Sequence, residues 1–115
     1  MKNTITQEDI NSILERTQFT VEEFHDKCTV VVAKLPNGFI LMESSACVDP
    51  SNYDVNIGIE ICKDRITNKI WELEGYRLQS KIYDIKEFQK QAKATNLLSE
   101  EKIEQTVEEM SNNLK

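Results

Sequence analysis

The sequence predicts an α+β protein with an N-terminal helix, a small antiparallel meander sheet, a long central helix and C-terminal helices. Three observations carry that expectation. The strand-forming run CTVVVAKL at 28–35 leads directly into Pro36-Asn37-Gly38 and a second apolar run, FILME at 39–43. Asn-Gly accepts the positive φ angles that tight hairpins require. Cys62, Ile66, Ile70 and Leu73 then recur at spacings of four, four and three, which is the period of one helix face. Only 3 Gly and 2 Pro punctuate 115 residues, 39% of them apolar and 30% charged. That profile is helix-rich and globular, and it excludes collagen-like, low-complexity and fully disordered chains.

Taken in order, Thr6 opens a helix over 6–17, with Gln7, Glu8 and Asp9 in its first turn and Ile10, Ile13 and Leu14 as its apolar stripe. Phe19, Thr20, Val21 and Phe24 supply the first strand, so that 28–35 and 39–43 complete a three-stranded meander. Asp49-Pro50-Ser51-Asn52 converts strand to helix, because proline fits a first turn and Asp49 or Ser51 can cap it. The main helix is expected to run to about Glu74, where Gly75 allows a kink or stop, and to resume through Tyr76, Leu78, Ile82 and Tyr83. Leu97-Leu98-Ser99-Glu100-Glu101 caps a final helix whose stripe is Ile103, Val107, Met110 and Leu114.

The length fits one domain, 1–115, burying roughly two-thirds of the surface its unfolded chain exposes. Within it, 84–115 forms a helical extension that is a candidate surface for self-association. The net charge of −6 argues against binding a nucleic-acid polymer, which needs cationic contacts to phosphate. That charge is uneven. Residues 1–27 carry three basic and six acidic side chains and 99–115 carry two and five, whereas 77–93 hold five basic against two acidic. A small anion could therefore settle beside 77–93, although the same residues also read as a solvated mixed-charge face. No apolar run approaches the roughly 20 residues that span a bilayer. The opening MKNTITQEDI is polar and acidic, unlike a signal peptide, and three cysteines without framework spacing fit reduced thiols in a cytoplasm.

Catalytic signatures are missing. There is no G-x-S-x-G elbow, no P-loop and no G-x-G-x-x-G. Ser44 or Ser45 as nucleophile would need His25, the sole histidine. His25-x-x-Cys28 with Cys47 and Cys62 formally makes a Cys₃His set, but zinc sites present short paired knuckles, and lone cysteines read as buried small hydrophobes. The expectation is a protein that is not an enzyme and holds no metal or cofactor. The most unusual string is ESSACVDPSNYD at 43–54, small and polar, ending a strand and opening a helix. Such a junction offers free N–H groups to an anionic or hydroxyl-rich ligand, and the same residues serve equally as caps.

That string, with Asn37-Gly38-Phe39, Ile57-Gly58, Lys69-Ile70-Trp71 and Leu73-Glu74-Gly75-Tyr76, resembles a family of small bacteriophage proteins. This is the Gp49-like family, typified by gene products of a coliphage and a Shigella phage. The resemblance spans about 5–83; the family often has proline where this chain has Glu72, and 84–115 carries no shared motif. The family is in turn similar to the first type of phage proteins that counter Thoeris defence. The resemblance implies a sponge in the host bacterial cytoplasm, a homodimer or higher homo-oligomer that binds a cyclic ADP-ribose isomer or related cyclic nucleotide and holds it uncleaved.

Such a ligand needs an aromatic surface for adenine, cations for pyrophosphate and hydroxyl or amide groups for ribose. Candidate stackers are Phe39, Tyr53, Trp71 and Tyr76; candidate phosphate partners are Arg65, Lys69, Arg77 and Lys81, with Arg77 favoured; candidate ribose partners are Ser44, Ser45, Asn37 and Asn52. Arg65 and Lys69 share a helix face and could equally be surface solubilisers. The competing reading is a phage-encoded inhibitor that binds a host defence or regulatory protein through its acidic surface. Its apolar patch would be the Ile103–Val107–Met110 stripe, where self-association is also expected.

Overall fold

The computed structural model describes residues 1–114 and has the predicted α+β architecture. In chain order it comprises α1 (Gln7–Glu15), β1 (Gln18–Phe24), β2 (Cys28–Lys34), β3 (Ile40–Ala46), a 3-10 turn (Pro50–Asn52), α2 (Val55–Thr95) and α3 (Glu100–Asn112). Two compact units divide the chain, Thr6–Glu72 and Met1–Ile5 with the residues from Leu73 onward, and α2 contributes to both.

In the first unit, α1 starts at a full capping box. Thr6 Oγ1 accepts from the Asp9 N–H at 3.2 Å, and the Asp9 carboxylate accepts from the Thr6 N–H at 2.9 Å. The sheet is antiparallel in the order β1-β2-β3. Its register sets Glu23, Thr29 and Ser45 side by side, then Val21, Val31 and Glu43, then Phe19, Ala33 and Leu41, all on one face because the side-chain period is two. The central members Thr29, Val31 and Ala33 are fully buried. β3 continues past the expected Glu43 to Ala46, since Ser44, Ser45 and Ala46 still find ladder partners in Val30, Thr29 and Cys28.

The hairpins invert one expectation. At Pro36-Asn37-Gly38 only Gly38 has positive φ, at 92°; its N–H donates to the Leu35 carbonyl at 2.8 Å, and Asn37 Oδ1 accepts from the Phe39 N–H at 3.0 Å. The turn with two successive left-handed residues is the other one. His25 and Asp26 have φ of 57° and 56°, and the Lys27 N–H closes the turn on the Phe24 carbonyl at 3.3 Å. This is the geometry that Asn-Gly normally serves, and holding it with residues that carry a Cβ costs about 1 kcal/mol each. The double substitution His25→Asn, Asp26→Gly is therefore expected to stabilise the protein by about 1 kcal/mol, raising the thermal midpoint by about 4 °C. Calorimetry would show it, and an unmoved midpoint would mean that the native pair makes compensating contacts.

Asp49 caps the 3-10 turn, its Oδ1 accepting from the Ser51 N–H at 2.9 Å, with Pro50 in the first position as expected. That backbone bond, reinforced by the Ser51 hydroxyl, holds the Asp49 carboxyl below its usual range. Asp54 then opens α2, its Oδ1 accepting from the Asn56 N–H at 2.9 Å. The expected break at Gly75 does not occur: α2 is one helix of 41 residues. A helical glycine costs only about 1 kcal/mol. Buried Ile66 and Ile70 anchor the helix before it and buried Leu78, Ile85 and Ala92 after it. Nothing lies within 4 Å of where a side chain at Gly75 would begin. Gly75→Ala should accordingly add about 1 kcal/mol of stability, visible as a higher urea midpoint with unchanged slope.

In the second unit, Leu78, Ile85 and Leu114 form a buried cluster against Ile5, Ile82, Val107 and Met110. Ser99 caps α3 as predicted, its Oγ accepting from the Lys102 N–H at 3.1 Å. The α3 stripe expected to serve self-association or a partner is thus occupied in part by its own chain, because Leu78, Ile82 and Ile85 supply apolar partners for it. No described helix is long and apolar enough to cross a membrane.

Candidate functional site

The site grows from one close approach. Gly58, in the second turn of α2, lies against Thr29 at the centre of the sheet: an alanine Cβ there would fall 2.9 Å from Thr29 Cβ and nearer still to its Oγ1. Four residues on, Cys62 faces the same spot, with its thiol directed at the Thr29 carbonyl at 3.9 Å. Burial pushes the Cys62 thiol up, which keeps it protonated and unreactive. α2 therefore starts directly on β2, and the 3-10 turn and Tyr53 are drawn in beside β3.

Tyr53 is fixed by a short relay. Its hydroxyl donates to Glu23 Oε1 at 3.0 Å and lies 2.7 Å from Thr29 Oγ1. The phenolic proton is committed to the carboxylate, so Thr29 is the donor in the shorter bond. Partial burial is the main cause holding the Tyr53 hydroxyl above its usual range, so it stays neutral. The relay satisfies the buried Thr29 hydroxyl and sets the tyrosine ring as one wall of a pocket of about 160 Å³. Ser45, Cys47, Asn52, Asp54 and Ile57 complete much of its lining, together with Gly58 and Ile61 at the helix. The junction string at 43–54 thus folds into a concavity as well as capping the helix.

Three of the candidate residues, Ser45, Asn52 and Tyr53, meet in this pocket. Arg65 stands one helical turn beyond Ile61 and donates through Nη1 to the carbonyl of Ser44, the neighbour of Ser45, at 2.8 Å. A guanidinium carries five donors, and the others of Arg65 have no partner among the described residues. Ser44 contributes only that carbonyl, from the outer edge of β3, and its side chain is on the opposite face from Ser45. Lys69 instead pairs with Glu43 at 3.3 Å. Phe39 sits half-exposed at the second hairpin, away from the lining. Arg77 and Tyr76 belong to the other unit; Arg77 is held by Glu74 through Nε at 3.0 Å and Nη2 at 2.9 Å, and Tyr76 is 77% exposed. His25, Cys28, Cys47 and Cys62 form no ligating group, and no cluster of three metal-binding side chains occurs among the described residues.

Reading the sequence alone placed Cys47 and Asp54 in the junction string and Ile57-Gly58 among the shared motifs without giving any of them a place in the site, and it missed Ile61. The signal for Gly58 was present: an isolated glycine inside a helical pattern marks a close approach of backbones. Ile57, Ile61 and Arg65, each four apart, likewise mark a second face of α2 beside the buried stripe.

These features define a small α+β protein in which the first part of a long helix packs on one face of a three-stranded meander and a small pocket, with polar groups on an apolar lining, opens where strand passes into helix. The chain belongs to the phage protein (N4 Gp49/phage Sf6 gene 66) family, whose model matches residues 5–82. Neither a curated protein nor a solved structure matches it.

Proposed function

We propose that this protein is a phage anti-defence protein that binds a cyclic ADP-ribose-type nucleotide signal in the host cytoplasm and sequesters it uncleaved. One observation carries the reading: Ser45, Asn52 and Tyr53 converge in the β3–α2 pocket, with the donors of Arg65 one turn away. Hydroxyl and amide groups suit ribose, and a planar guanidinium suits a phosphate oxygen. The pocket's own ionisable groups favour holding over cleaving, because Asp54 is engaged as a helix cap, the Tyr53 hydroxyl is engaged by Glu23 and Thr29, and the Cys47 thiol is directed at the Asn52 carbonyl at 3.7 Å.

At about 160 Å³ the pocket is smaller than the roughly 300 Å³ at which small-molecule sites begin. A second copy of the chain would enlarge it, in keeping with a homodimer or higher homo-oligomer. Val48, Ile57 and Ile61 offer exposed apolar surface at and beside the pocket for that contact. Calorimetric titration with cyclic ADP-ribose isomers, followed by mass analysis of ligand released on heating, tests the proposal. Tight binding, intact ligand and a loss of about tenfold or more in Arg65→Ala are expected, the usual scale for a charged hydrogen bond. Absence of binding by every isomer would overturn it.

The second reading, an inhibitor of a host defence or regulatory protein acting through acidic surface, is favoured by the row of carboxylates on α3, at Glu100, Glu104 and Glu108, beside a groove.

A further inference from the structure

We infer that the groove between the end of α2 and α3 docks a basic amphipathic helix of a partner protein. The inference names the surface and partner chemistry for the second reading above, and it is independent of the nucleotide pocket. The groove holds about 670 Å³, several times the volume of the β3–α2 pocket. Its apolar part is built from Ile103, Val107 and Met1. Ile103 is almost wholly buried, whereas Met1 is 64% exposed, so the groove has a fixed apolar base and one adaptable thioether.

Charge decides what fits. Glu100, Glu104 and Glu108 line the groove at successive turns of α3, about 6 Å apart along the axis. All three are exposed, and none has an ion-pair partner among the described residues. Across from them, among the described lining residues, Lys93 is the one cationic side chain. An anionic ligand or an anionic membrane surface is repelled here. A small polycation would use the carboxylates but leave the apolar base uncovered. A helix with an apolar stripe flanked by Lys or Arg at one-turn spacing matches both features with the same repeat. Apart from Met1, every lining residue lies beyond residue 82, where the family match ends.

The test uses the full chain and two synthetic peptides of identical composition, one with its lysines and leucines in amphipathic helical order and one scrambled, followed by fluorescence anisotropy. The ordered peptide is expected to bind at least about tenfold tighter than the scrambled one, and to weaken in high salt. The triple variant Glu100→Gln, Glu104→Gln, Glu108→Gln should lose about tenfold or more, whereas a charge-matched control elsewhere, Glu22→Gln, Glu60→Gln, Glu72→Gln, should change binding less than about twofold. Circular dichroism checks that both variants keep their helices. Three results would each overturn the proposal: equal binding of both peptides, equal losses in the two variants, or reversible self-association that the α3 triple variant abolishes. Nucleotide titration of the same α3 variant, expected to be unchanged, separates failure here from failure of the sponge reading.

Discussion

Replacing Gly58 with alanine is expected to lower stability by about 2–3 kcal/mol, the scale of overpacking a closed core site, and the thermal midpoint by about 10 °C. The new methyl group meets the side chain of Thr29, which is 0% exposed and cannot turn away without breaking its bond to Tyr53. Thr29→Ala removes the nearest atom, so the double variant should be less destabilised than the two single changes combined, by at least about 1 kcal/mol. Calorimetric scans of the four proteins would measure this coupling. Strict additivity would mean that α2 shifts bodily to make room.

The other large effect is expected at Ile66. Its side chain is 0% exposed, between Cys62 and Ile70 on the buried stripe of α2. Ile66→Ala should cost about 3–4 kcal/mol through lost burial and the cavity left behind. Ile57→Ala, on the same helix but 57% exposed, should cost the isolated chain less than about 0.5 kcal/mol, any larger loss belonging to the proposed contact with a second copy. Urea unfolding would separate the pair, and similar losses at both sites would place Ile57 in a contact formed outside the single chain.

The elements of this fold are legible because their signals are local. Thr6 and Ser99 announce their helices through caps that need only the next three residues, and the β-branched run of β2 announces a strand without telling which face meets α2. What escaped reading depends on partners distant in sequence. Gly75 looks like a break until Leu78 and Ile85 are seen to anchor the following turns. The α3 stripe reads either as packing on the core's edge or as a contact with another chain, and only the placement of those same residues shows that part of it is covered within the chain. At the site, Ser45, Asn52 and Tyr53 were legible from the junction string, because strand-to-helix passages gather such groups. Arg77, favoured for the basic run that follows it, is tied to Glu74 instead. A charge count records how many cations a segment holds and nothing of where a neighbouring carboxylate waits.

One contact has a consequence for solubility. β3 is an outer strand, and the ladder bonds at Leu35–Phe39 and Lys27–Cys47 imply that alternate residues, Ser44 among them, turn their backbone groups away from β2. An exposed edge of that kind invites a foreign strand, the more so with Ile40 and Met42 exposed nearby. Arg65 reaches from the helix to the Ser44 carbonyl and occupies it with a charged donor. A would-be fourth strand must evict that guanidinium and forfeit its bond. Arg65 thereby guards the sheet against fibrous stacking, and concentrated solutions of Arg65→Ala are expected to cloud sooner than the parent protein.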